Sequence, residues 1–133
     1  MNLYKYVKAH KELNPKLWNG FELKPEVEEK INDIINEFVD FVKKSGLEIE
    51  VIDTFLVGSN TGFNYNETSD IDVHLQVLLD ISNYSKKDLL NLYLQYCKLF
   101  NMNFEPMIKN ISVEIYVEDY FFCIGCGGDC RCP

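Results

Sequence analysis

Apolar residues recur along the chain at two periods. Val27, Ile31, Ile34, Ile35, Phe38, Phe41 and Val42 fall at steps of three and four, which lays one apolar stripe along a helix. Lys24-Pro25-Glu26 opens that helix: proline suits the first turn, where its missing N–H costs nothing, and Glu26, Glu28 and Glu29 face the positive end of the dipole. Lys43-Lys44-Ser45-Gly46 closes it with positive charge and a glycine stop. Residues 49–57 read as a strand. Residues 70–77 alternate without a break, with Asp70, Asp72, His74 and Gln76 on one face and Ile71, Val73, Leu75 and Val77 on the other. Ser85-Lys86-Lys87-Asp88 is a variant capping box that opens a second helix reaching about Asn101, with Leu89, Leu90, Tyr93, Leu94, Cys97 and Phe100 inward. Residues 111–118 alternate again, placing Ser112, Glu114, Tyr116 and Glu118 together.

The order helix, strand, strand, helix, strand predicts a small α+β or α/β sheet with helices on one face and an open polar face. Ahead of it, Pro15 and Gly20 interrupt any helix, and Leu17, Trp18 and Phe21 are available for packing. No internal repeat is present. Residues 1–119 are read as one domain and 120–133 as a flexible Cys-rich tail.

Composition narrows the functional classes. Thirteen Lys and Arg against twenty-one Asp and Glu leave a net charge of −8, and Arg131 is the single arginine. A generic nucleic-acid surface recruits Lys and Arg, so the balance argues against one and leaves open a carboxylate site for divalent cations. No apolar run approaches the roughly 20 residues that span a bilayer, and Met1 to His10 lack the apolar centre of a secretory signal, so the expectation is a cytoplasmic protein with no membrane partner. Cys123, Cys126, Cys130 and Cys132 crowd the tail. They could offer four thiolates to Zn²⁺, but paired, separated knuckles are missing, which favours a reduced tail without metal.

The densest chemistry lies between Gly58 and Leu75. One strand ends at Gly58-Ser59, and ten residues later the next begins Asp70-Ile71-Asp72. Period two sets the two Asp side chains on one face, about 7 Å apart, where they can share or bracket Mg²⁺. Gly58 would let a phosphate approach the backbone, and the Ser59 hydroxyl and the N–H groups after it can donate to phosphate. Glu114, flanked by Val113 and Ile115, is the expected third carboxylate. Glu118 shares its face but lies ~13 Å further along, and serves only in a shifted register. His74 could touch substrate, orient a carboxylate or be an exposed structural residue. Asn60, Thr61, Asn64 and Asn66 could meet phosphate or ribose, or be ordinary loop residues. Phe63 and Tyr65 could stack on a base, with packing against the helices the preferred reading. Lys86, Lys87 and Lys109 are the basic groups near the expected helix and strand edges, and helix capping explains the first two equally well.

Gly58-Ser59, a ten-residue gap, Asp70-Ile71-Asp72 and the later Val113-Glu114-Ile115 resemble the signature of the DNA polymerase beta-like nucleotidyltransferase superfamily. The wider run, with Leu13-Asn14-Pro15-Lys16-Leu17-Trp18, Leu23-Lys24-Pro25-Glu26-Val27 and Ser69 through Leu75, is similar to nucleotidyltransferases predicted from bacteriophage sequences, and the resemblance covers about residues 13–119. It implies a minimal nucleotidyltransferase fold. It further implies Asp70 and Asp72 as ligands of two Mg²⁺ (or Mn²⁺) ions, Glu114 as third ligand and aid to deprotonation, and Gly58 and Ser59 as holders of the β- and γ-phosphates of a nucleoside triphosphate. The implied reaction is transfer of a nucleoside monophosphate to a hydroxyl on a small molecule, a protein or an RNA end. The alternative is a catalytically inactive nucleotide-binding or protein-interaction module of the same fold. Many relatives carry further elements after the third acidic strand. Fourteen residues follow Asp119 here, which puts acceptor binding and turnover in question; a homodimer or a partner chain could supply the acceptor surface.

Overall fold

The structure is a computed structural model that describes residues 10–120; the Cys-rich tail and its zinc reading, and Met1–Ala9, lie outside the described residues. The elements are β1 (Trp18–Asn19), β2 (Glu22–Leu23), α1 (Pro25–Lys44), β3 (Glu50–Val57), a 3-10 turn (Ser59–Thr61), β4 (Ile71–Leu78), α2 (Lys86–Phe104), β5 (Met107–Ile108) and β6 (Ile111–Asp119). β1 and β2 form a two-stranded hairpin; the other strands form one mixed sheet in the order β3-β4-β6-β5. β3 pairs antiparallel with β4, and β5 with β6, whereas β4 and β6 run parallel. Parallel neighbours need a crossover, and α2 provides it. The described residues thus form a small α+β domain with two helices and a mixed four-stranded sheet.

α1 forms where its pattern predicts. Pro25 occupies its start, Glu26 and Glu28 lie in its first turn, and Lys43 and Lys44 lie in its last. Val27, Ile31, Ile34, Ile35, Phe38 and Val42 make its buried face. The chain then turns through Gly46 at φ 93°, a conformation that suits glycine. At the start of α2 the Ser85 side chain accepts from the Asp88 backbone N–H at 3.1 Å, as the capping box predicts. α2 runs one turn beyond the expected end, to Phe104, whose ring packs on Phe41 and Phe100. Glu105 then breaks it in a left-handed conformation before Pro106.

Both helices cover the same sheet face. Ile71, Val73, Leu75 and Val77 of β4, with Val113, Ile115 and Val117 of β6, are buried there against Val27, Phe38, Tyr93 and Phe100. At roughly 25 cal/mol per Å² of apolar surface, these branched side chains give the sheet its main hold on the helices. Leu17 joins that core, whereas Phe21 is 80% exposed and does not pack as expected, because the tight turn at Gly20 carries it outward.

α2 also closes the edge of β6. β5 pairs only with Ile111 and Ser112. Further along, the Asn101 amide replaces a strand, donating to the Ile115 carbonyl at 3.1 Å and accepting from the Ile115 N–H at 3.0 Å. The Val117 backbone hydrogen-bonds to the buried Cys97 thiol, whose pKa burial pushes up to about 12; this cysteine is no nucleophile at neutral pH. An edge that would otherwise offer unpaired backbone groups is covered.

Candidate functional site

Among the described residues, the opposite sheet face carries no helix. The strand register arranges its side chains in rows that cross three strands. Val57, Asp72 and Glu114 stand in the first row, Phe55, His74 and Tyr116 in the second, and Asp53, Gln76 and Glu118 in the third. Successive rows lie about 7 Å apart, and neighbours within a row about 5 Å. A register shift between Val51 and Asp53 leaves Ile52 as an extra residue in β3, so the rows hold only from Asp53 onward.

The register separates Glu114 from Glu118. Glu114 is the residue opposite Asp72. Glu118 is two rows further on, where its carboxylate accepts from Nδ1–H of His74. The His74 ring also packs against Tyr116 with centroids 4.9 Å apart. His74 is therefore held by its own row and the next, and is not a freely exposed residue.

Asp70 sits just before β4 rather than inside it, yet it acts on both members of the first row. Burial pushes the Asp72 carboxyl above the ordinary carboxylate range, the Asp70 charge pushes the same way, and His74 opposes them. The Glu114 carboxyl is raised by burial first, then by Asp70 and Asp72. Like charges therefore repel one another on this open sheet face. Among the described residues, no group of three His, Cys, Asp or Glu side chains is closed into metal-holding geometry. The donor set itself consists of hard carboxylate oxygens, which suit Mg²⁺ and Mn²⁺, and a bound cation would cancel the repulsion recorded in the raised pKa values.

Gly58 has a local reason to be glycine. Its φ is 88°, and a Cβ there would lie 2.4 Å from Oδ2 of Asp72. The group that approaches the Gly58 backbone in the structure is thus the Asp72 carboxylate. The 3-10 turn follows at once, and its Ser59 hydroxyl donates to the Ser69 hydroxyl at 2.6 Å, which in turn accepts from the Asn66 backbone N–H at 2.8 Å.

Asn60 is corrected from ligand candidate to structural tie. It is only 2% exposed. Its amide donates to the carbonyls of Ser69 (3.0 Å) and Asp70 (2.9 Å), it accepts from the Asn14 amide at 3.0 Å, and the Trp18 indole N–H donates to its carbonyl at 2.8 Å. These bonds hold the two ends of the loop together, tying the 3-10 turn to the Ser69 and Asp70 backbone just ahead of β4. Thr61 bonds back to the Gly58 carbonyl at 2.7 Å, and Asn66 accepts from Thr68. Tyr65 stacks on His10, ring centroids 3.9 Å apart, and not on the helices; Phe63 is exposed.

Two of the lysines near the expected site have other partners. Lys86 pairs with Asp119 at 3.0 Å, and Lys109 with Glu26 at 3.1 Å and the Lys16 carbonyl at 2.7 Å. The cation the sequence reading missed is Lys98. It lines a cleft of about 290 Å³ between α2 and β6, together with Asp72, Glu114, His74 and Tyr116. Leu94, Cys97, Lys98 and Asn101 also line that cleft at helical steps of three and four, which is the signal that could have exposed it.

No family model matches the chain, and no curated protein or solved structure matches it. No helix among the described residues is long and apolar enough to cross a membrane.

Proposed function

We propose that the protein is a nucleotidyltransferase of the polymerase beta-like kind, which transfers a nucleoside monophosphate from a nucleoside triphosphate to a hydroxyl acceptor. The observation that carries this reading is the parallel register that sets Asp72 beside Glu114, with Asp70 raising the pKa of both. A stable fold gains nothing from this arrangement. It becomes favourable when positive charge is brought between the carboxylates.

Asp70, Asp72 and Glu114 would hold the divalent cations. When bound, these supply charge neutralisation for a triphosphate and for the oxygens that gain charge during in-line displacement. The residues of the chain have separate tasks. Asp72 lies against the Gly58 backbone, where a Cβ would meet its carboxylate. Gly58 and Ser59 would meet the β- and γ-phosphates, the Ser59 hydroxyl turning from Ser69 to a phosphate oxygen. Lys98 offers positive charge from the far wall of the cleft. The acceptor oxygen forms a bond to the α-phosphorus as the bond to pyrophosphate breaks. Glu114, opposite Asp72, would help take the acceptor's proton.

The test is pyrophosphate release from each of the four ribonucleoside triphosphates with Mg²⁺ or Mn²⁺, using host lysate as a source of acceptors. Metal-dependent release by the wild type that is lost in Asp72→Asn supports the reading. Metal-dependent triphosphate binding without release supports the inactive nucleotide-binding module instead.

A further inference from the structure

The second row of the open face is aromatic and leaves two of its rings largely open to solvent. Tyr116 is 46% exposed and Phe55 44%, although a solvent-facing strand is served equally well by polar residues. His74 lies between them in register, tilted 37° against Tyr116 and anchored by Glu118. The same cleft that holds Asp72 and Glu114 continues over His74 and Tyr116. At about 290 Å³ it lies near the lower end of small-ligand pockets, and Lys98 on its wall makes no ion pair among the described residues.

We infer that this row is the stacking platform for the base of the nucleotide: Tyr116, backed by His74, takes the face of the purine or pyrimidine while the triphosphate lies along the carboxylate row. The inference rests on the nucleotidyltransferase reading and adds to it the element that tells a nucleotide from bare polyphosphate. Rows about 7 Å apart match the separation that a ribose imposes between a base and its α-phosphate. Stacking needs only a π face, which every base has, so the platform tolerates all four bases and favours the larger purines.

The test compares ATP with inorganic tripolyphosphate, each with Mn²⁺, by calorimetric titration of wild type, Tyr116→Ala, Tyr116→Thr and Tyr116→Phe. Tyr116→Thr removes the ring but keeps a strand-forming side chain, so a folding defect in the alanine variant does not decide the result. The expected outcome is ATP binding weakened about tenfold by loss of the ring, tripolyphosphate binding unchanged, and wild-type affinities retained by Tyr116→Phe. Equal losses for both ligands, or no loss for either, would overturn the platform and leave the triphosphate reading standing. A wild type that binds neither ligand would overturn both.

Discussion

Asp72 and Val73 are neighbours on one strand and meet opposite environments. Val73 faces the helices with Leu75, Val77, Ile115 and Val117, and all five are essentially inaccessible. Asp72 faces the other way, against Glu114 and the Gly58 backbone, with its pKa raised by burial and by Asp70. One face is organised so that folding is favourable. The other holds like charges at close range, an arrangement that opposes folding slightly and makes sense as a place for cations and phosphates. The contrast shows that stability and chemistry are separated here by the period of a β-strand.

The largest effects should come from the packed face. Leu75→Ala is expected to cost about 2–5 kcal/mol, read as a lowered urea midpoint, because the position is fully enclosed and cannot collapse around the cavity. Gly58→Ala comes next, since it breaks the boundary between the faces. A φ of 88° and a Cβ 2.4 Å from the Asp72 oxygen together predict a loss of about 1–3 kcal/mol. Adding Asp72→Ala should return part of that loss, and a double-mutant cycle measures how much is steric conflict with the carboxylate rather than backbone strain.

Asp72→Asn should behave in the opposite way from a core mutation. Without metal at pH 7 it is expected to leave stability unchanged or raise it by at most about 1 kcal/mol after solvent screening, measured by thermal melting. The pH dependence follows from the same directions. Asp72 and Glu114 keep their protons to higher pH in the folded chain than in the unfolded one. Their contribution is complete below the ordinary carboxylate range and is lost as pH rises through their folded values. The smallest expected effect is therefore a modest fall in metal-free melting temperature across that window, reversed by Mg²⁺ at neutral pH but not at the acidic end.

Much of the architecture could be read directly, because α1, β4, α2 and β6 carry strong periods and clear end signals. The β1–β2 hairpin and β5 escaped, since strands of two residues contain no period. The extra residue Ile52 in β3 escaped because its face depends on pairing with β4. At the site, the pairing of Asp72 with Glu114 was accessible from alternation once a parallel neighbour was assumed. The role of Asn60 was not: its side-chain amide is engaged by Asn14 and its backbone carbonyl by Trp18, more than forty positions away. Lys98 was hidden for a similar reason, since its place on the cleft requires α2 to lie along the β6 edge, held there by Asn101.

The most direct test of the central claim is Mn²⁺ binding in the presence of a non-hydrolysable nucleoside triphosphate, titrated into wild type, Asp72→Asn and Glu114→Gln. The account predicts saturable binding with a raised melting temperature in the wild type, and loss of both in each variant while the metal-free folds remain intact. Mn²⁺ binding that is identical in all three proteins, or absent from the wild type, would contradict it.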